Sequence, residues 1–201
     1  DDIERSLENS LRRLQTDYID LYYVHWPNPD VPLKETMEKL EQLRGQGVIR
    51  SIGVSNFSAE QLKESLQFAQ VDAYQPEYNL LSRSIESEII PLCQKHQISV
   101  FSYNSLSKGI LTGAFHLYGA VLRPEDFRKD NLEIQRELIL CLESLAKKKQ
   151  ATAAQVAIRW AMEQPGMSCA IIGTQDSRHF LENIRAFSIS LTQEEIDRLR
   201  T

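Results

Sequence analysis

Cysteine is scarce in this chain. The three in 201 residues, Cys93, Cys141 and Cys169, are odd in number, far apart and set in apolar patterns. That excludes a disulfide framework and reads as buried free thiols in a reducing compartment, hence an expected cytoplasmic location. With no CxxC pair and no Cys/His cluster, no metal is expected. No apolar run approaches the roughly 18 residues of a membrane helix, and no secretory signal opens the chain, so no membrane partner is expected. Basic charge is in deficit: 23 Lys and Arg stand against 28 Asp and Glu, a net charge of −5. The longest basic run, Lys147 to Lys149, closes a predicted helix, where it suits the dipole. Nucleic acid is therefore not an expected partner. The phosphate-binding signatures G-x-G-x-x-G and GxxxxGK[ST] are also missing, which weakens the nucleotide-binding doubly wound folds.

What is present is an ordinary globular composition, 42% hydrophobic and 25% charged, long enough for one sizeable core. One domain over residues 1–201 is expected. Apolar residues at helical spacing predict helices over 2–15, from Leu33 to Leu43, from Ser58 to about Ala69, from Ile85 to His96, from Ile134 to Leu145, from Thr152 onward, over 177–186 and from Thr192. Ser58/Gln61, Thr152/Gln155 and Thr192/Glu195 have the spacing of capping boxes. Strands are predicted over 18–26, 49–56, 73–79, 98–106 and 168–174. A polar stretch over 107–131 is long enough to be a functional loop.

Strands alternate with helices, which predicts a parallel sheet covered by helices. Polar residues recur where strands end: His25, Ser55 with Asn56, Gln75 with Asn79, Tyr103 with Asn104, and Gly173 with Thr174. In a (β/α)8 TIM barrel those ends share one mouth. Five strands do not close such a barrel, which typically takes about 250 residues. The expected fold class is therefore α/β, a partial TIM barrel lacking roughly its first three β-α units. The chain opens on an amphipathic helix without an initiator Met, as expected of a cut.

Five segments, in order, resemble the aldo-keto reductase family. LRRLQTDYIDLYYVHWP leads into what would be the fourth barrel strand. GVSNF (53–57) is similar to the Gly-x-Ser-Asn-Phe of the fifth, and QPEYNLL (75–81) to the Gln-x-x-Tyr-Asn of the sixth. FSYNSLSKGILTG (101–113) resembles the seventh-strand Tyr-x-Pro-Leu-x-x-Gly-x-Leu-Thr-Gly. AIIGTQDSRHFLENI (170–184) resembles the eighth-strand Ile-x-Gly with its Leu-x-Glu-Asn.

The resemblance implies metal-independent reduction of aldehydes or ketones by hydride transfer from NADPH, with NADH not excluded. Asn56 and Gln75, with Ser55, would hold the nicotinamide carboxamide, and Tyr103 would stack on the ring. Asn104, Leu106, Lys108, Gly109 and Leu111 would line the pyrophosphate. Gly173, Gln175, His179, Glu182 and Asn183 would enclose the adenosine end. His25 would be the catalytic histidine that orients and polarises the substrate carbonyl, and Trp26 would line the substrate pocket. The family's Asp, Tyr and Lys have no counterpart in the matched segments. The chain by itself is thus expected to be inactive, or to be an NADP(H)-binding regulatory module or a remnant. Ser105 stands where the family has Pro, and Gln175 where many relatives carry a basic or hydroxyl residue for a 2′-phosphate. Open barrel edges would favour self-association.

Overall fold

The structure, a computed structural model, describes residues 2–113, 132–174 and 176–200. The chain divides into two compact units, Asp1–Pro76 with Glu86–Val100, and Glu77–Ile85 with Phe101–Thr201. Strand β4 (Ser99–Ser102) crosses that division: Ser99 and Val100 complete the first unit, and Phe101 and Ser102 open the second.

In the first unit, helix α1 (Asp2–Leu14) precedes β1 (Ile19–Val24). Helix α2 (Leu33–Gly45) leads to β2 (Ile49–Ser55), α3 (Ala59–Ser65) to β3 (Ala73–Gln75), and α4 (Ile89–Lys95) to β4. The strands pair in that order, and each pair is parallel: Ile19 lies opposite Ile49, Ser55 opposite Gln75, and Ala73 opposite Ser99. Parallel neighbours require crossovers, and the helices supply them. Met37, Leu40 and Leu43, three apart, form the buried stripe of α2. β2 lies between two strands, and its Ile49, Ile52 and Val54 are fully buried.

Asp72 pins the start of this sheet. Its carboxylate accepts the Ile52 N–H at 2.8 Å and pairs with Arg44 at 3.3 Å, while its own N–H bonds the Ile52 carbonyl at 2.8 Å. Several elements are shorter than the residue pattern predicts, β4 among them at Ser99–Ser102 against 98–106, and two of them are cut short by a proline. β3 stops at Gln75, because Pro76 has no N–H for the ladder, and pairing resumes only as a lone bridge between Glu77 and Tyr103. The apolar stripe from Ile85 to His96 splits into a 3-10 turn (Ser84–Glu86) and α4. A longer helix would drive the Pro91 ring into the carbonyl four residues earlier.

In the second unit, α5 (Leu132–Lys149), α6 (Ala153–Met162), β5 (Met167–Ala170), α7 (Ser177–Ile184) and α8 (Gln193–Arg198) follow one another. Its core holds Tyr78 and Trp160, both fully buried, with rings stacked 5.7 Å apart. The Trp160 indole N–H reaches the Ile196 carbonyl at 3.3 Å. All three capping boxes form. The basic run at the end of α5 does more than meet a dipole: Lys148 and Lys149 grip the Glu195 carboxylate at 2.9 and 2.6 Å.

The cysteines require a correction. Only Cys93 is buried, and burial pushes its thiol up to about 12. Cys141 and Cys169 are half-buried. On α5 the core stripe is Ile139, Leu142 and Leu145, and Cys141 lies one position off it. Among the described residues no helix is long and apolar enough to cross a membrane, and no His, Cys, Asp and Glu cluster could hold a metal ion.

Gly53 lies opposite Tyr23, whose ring covers it so closely that a β-carbon would sit 2.4 Å from a ring atom. Gly53→Ala is expected to destabilise the chain by about 1–3 kcal/mol, as overpacking does. Adding Tyr23→Ala should recover part of that loss, read from urea midpoints.

Burial alone would raise the Glu195 carboxyl, but hydrogen bonds from Lys149, Lys148 and the Thr192 N–H outweigh it and hold it at about 2, against an ordinary 4.5. A depressed native value gives stability that is present above the unfolded value and lost as pH falls through the native one. The stability advantage over Glu195→Gln should therefore be full at neutral pH. It should shrink from about pH 4.5 down to about 2, measured by urea unfolding along a pH series.

Candidate active site and cofactor-binding residues

The carboxyl ends of β1, β2 and β3 lie at one edge of the first unit's parallel sheet, and His25, Ser55, Asn56 and Gln75 are linked to one another there. Ser55 is buried, and its hydroxyl donates to the Gln75 carbonyl at 2.7 Å. The Asn56 side-chain amide donates to the His25 carbonyl and to the Ser55 hydroxyl oxygen, each at 3.0 Å. Its backbone N–H points to the Gln75 carbonyl at 3.4 Å.

Asn56 has φ 63°, a left-handed backbone in which asparagine is among the few tolerated side chains. Here one residue type meets two demands, a reversed backbone and a forked donor. Ser55 is thereby a structural link, with its one proton already given to Gln75.

His25 is the first residue past β1 and is exposed. Its ring meets only that of Trp26, tilted by 42° at a centroid distance of 6.3 Å. Neither ring nitrogen has a hydrogen-bond partner among the described residues. Trp26 is 62% exposed. The side-chain amide of Gln75 is half-buried and likewise makes no hydrogen bond among the described residues. An amide that offers both donors and an acceptor, partly desolvated and uncommitted, matches another carboxamide.

In the second unit, Tyr103 follows β4 and is half-buried. Burial, and then the nearby charge of Glu77, raise its phenol above the ordinary value. Asn104, Ser107, Lys108 and Gly109 all have positive φ, at 54°, 48°, 52° and 94°. Each non-glycine residue in that region costs roughly 1–2 kcal/mol, and such strain clusters at ligand-binding turns.

The Asn104 side-chain oxygen accepts the Lys108 N–H at 2.8 Å and closes the turn. Leu106 and Gly109 are half-buried and Lys108 is exposed. Leu111, in contrast, is wholly buried; its side chain supports the turn from the core and presents no surface. Ser105, in the place of proline, has a buried hydroxyl bonded to Ser102 and to the Ile171 carbonyl, both at 3.3 Å.

Gly173 is exposed, and Gln175 lies outside the described residues, as does His116. α7 carries His179, Glu182 and Asn183, of which only Asn183 is half-buried. Its N-terminus is capped by Asp176, which accepts the Arg178 N–H at 2.8 Å and pairs with the Arg178 guanidinium at 2.7 Å. Hydrogen bonds from Arg178 lower the Asp176 carboxyl. Arg178 is thus engaged by the cap. Gln155, beyond its capping role, reaches the Glu182 carbonyl at 2.7 Å and fixes the back of α7. No local motif signals that second bond.

The family model for aldo/keto reductases matches residues 1–201. The chain belongs to the aldo/keto reductase family. It is 41% identical over 180 residues to the aldo-keto reductase YhdN of Bacillus subtilis (strain 168), a match covering 86% of this chain and 54% of that protein. It is 31% identical over 205 residues to an NADH-specific methylglyoxal reductase of Escherichia coli (strain K12), covering 98% and 63%. Among solved structures, an aldo/keto reductase from Klebsiella pneumoniae in complex with NADP and acetate matches with a TM-score of 0.78 at 34% identity, over 98% of this chain and 63% of that one. The chain therefore spans less than two thirds of these relatives' lengths. Its parallel α/β order agrees with the family's barrel, and the family match extends over the whole chain.

If Asn56 is needed both for its backbone and for its forked donor, the two demands separate by substitution. Asn56→Gly keeps the left-handed backbone without strain and loses the bonds to His25 and Ser55. Asn56→Ala loses both. The alanine variant should unfold at lower urea than the glycine variant, by about 1 kcal/mol.

Proposed function

We propose that this chain carries the cofactor face and the substrate-orienting histidine of an NADP(H)-dependent carbonyl reductase. Residues 1–201 would form one family domain corresponding to the barrel from its fourth strand onward. The observation that carries the reading is the half-buried, uncommitted Gln75 amide on the same sheet edge as the unpartnered His25 ring. When bound, the cofactor supplies the hydride. Gln75 holds its carboxamide, with Asn56 and Ser55 keeping the three strand ends in place behind it. Tyr103 would stack on the nicotinamide and shield that face from water, as the resemblance implies.

His25 donates a ring N–H to the substrate carbonyl oxygen as negative charge develops there. Trp26 offers an apolar wall, which suits an aldehyde or ketone with an apolar or aromatic portion. Asn104, Leu106, Lys108 and Gly109, with Leu111 beneath, would carry the pyrophosphate. Gly173, Gln175, His179, Glu182 and Asn183 would carry the adenosine end. Turnover requires the general-acid Tyr with its Lys and Asp, which the matched segments do not contain, so this chain by itself should bind cofactor and reduce carbonyls poorly.

The resemblance favours NADPH, whereas the Asp176–Arg178 pair leaves less positive charge for a 2′-phosphate. Fluorescence titration of the chain with NADPH and with NADH decides both points. Saturable NADPH binding is expected. Gln75→Ala or Tyr103→Ala should weaken it about five- to tenfold, the worth of one interaction of roughly 1 kcal/mol, whereas His25→Ala should leave it unchanged. Absence of saturation with either nucleotide overturns the reading.

Exposed apolar side chains point to self-association as well. On and just after α7, Phe180, Leu181, Ile184 and Phe187 are 53%, 64%, 44% and 65% exposed, and β1 is an edge strand among the described residues. Light scattering on the chain should show concentration-dependent growth in mass. A monodisperse monomer with cooperative unfolding overturns this.

A further inference from the structure

The strained turn at 104–109 needs something to hold it. A run of left-handed residues persists only where its surroundings over-determine it. Two side chains from the 77–79 segment supply the restraint, and neither belongs to the cofactor set implied by the family motifs. Glu77 pairs with Tyr103 in the lone bridge, and its carboxylate accepts the Asn104 side-chain N–H at 2.8 Å. Asn79 is 1% exposed, and its side-chain N–H donates to the Asn104 carbonyl at 2.9 Å.

Asn79 is itself fixed. Its side-chain oxygen accepts the Leu81 N–H at 2.8 Å, and its backbone exchanges two 3.1 Å bonds with Ser82. Asn104 in turn holds the Ser107 N–H with its carbonyl and the Lys108 N–H with its side chain, both at 2.8 Å. The connection runs from a buried amide and a carboxylate, through Asn104, to the backbone of Ser107 and Lys108.

We propose that Glu77 and Asn79 are positioning residues that clamp Asn104 and thereby hold the 104–109 turn in its ligand-ready conformation. The clamp stands on its own geometry, and only its consequence for the cofactor rests on the reading given under Proposed function. The clamp depends on an acceptor at this position and not on its charge. The acceptor at Asn104 is a carboxylate, but a neutral amide oxygen in the same place can accept the same bond, so Glu77→Gln preserves the clamp and Glu77→Ala removes it.

The test uses the 201-residue chain, its Glu77→Ala, Glu77→Gln and Asn79→Ala variants, trypsin, and NADPH. Lys108 is exposed, so cleavage after it reports opening of the turn without any cofactor. Glu77→Ala should speed cleavage after Lys108 about fivefold, the worth of one net hydrogen bond, while cleavage at other sites stays as in the parent. Glu77→Gln should return the rate to near the parent value. Asn79→Ala should show a larger increase. Because Asn79 is buried and its loss can impair folding, the exposed Glu77 pair carries the decision.

NADPH affinity should fall in Glu77→Ala and recover in Glu77→Gln. Unchanged cleavage in Glu77→Ala, equal rates in Glu77→Ala and Glu77→Gln, or acceleration spread evenly over all sites would overturn the clamp. Selective cleavage with unaltered NADPH affinity would overturn the link from turn to cofactor. If the parent chain binds no NADPH, the cofactor reading fails, and the cleavage pattern still decides the clamp.

Discussion

Two adjacent residues at the end of β2 tie three strands together. Ser55 gives its proton to Gln75 on one side, and Asn56 gives its amide protons to His25 on the other and to Ser55 itself. Parallel pairing already brings the three strand ends to one edge. The side-chain bonds add what pairing does not: they set the loops beyond the ladder, where His25 and Trp26 stand. Asn56 serves because its left-handed backbone turns the chain at the spot where its side chain can fork. Gln75 contributes through its carbonyl and keeps its side-chain amide uncommitted. The same physics explains Gly53, two residues earlier, where the ring of Tyr23 occupies the space a side chain would need.

The second unit solves a different problem. Its turn at 104–109 has several residues in an unfavourable backbone region, and hydrogen bonds between Asn104 and the 77–79 segment oppose that cost. The stacked Tyr78 and Trp160 anchor the same segment from below. Thus one stretch of sequence places an aromatic in the core and polar groups at the surface turn. The helices behind are fastened by capping side chains that make a second bond, Gln155 to the Glu182 carbonyl and Glu195 to Lys148 and Lys149.

Much of this was legible in the residues. The three capping boxes, the alternation of strand and helix, and the polar residues past each strand are local patterns, and local geometry alone produces them. Element ends were less legible. Pro76 shortened β3 and Pro91 shortened the helix of the Ile85–His96 stripe, because a missing N–H and a ring clash act at a distance of a few residues that hydrophobic spacing does not register. Cysteine burial escapes the pattern for a related reason: Cys141 belongs to an apolar run, but one helical position decides whether it faces the core. Of the positions that the resemblance assigns to a cofactor, Ser55 and Leu111 are motif letters whose surroundings the motif does not describe. One has its hydroxyl committed to a neighbouring strand, and the other is buried.

By itself, then, the order of amino acids determined the family, the parallel α/β class and the place of His25, Asn56, Gln75 and Tyr103 at strand ends, since motif spacing and side-chain periodicity are properties of the chain alone. Only the tertiary structure decided which of those groups are committed and which remain available. A hydrogen bond from Asn56 to His25 spans 31 residues, and one from Asn79 to Asn104 spans 25. No local rule reports on a partner that folding brings from so far along the chain.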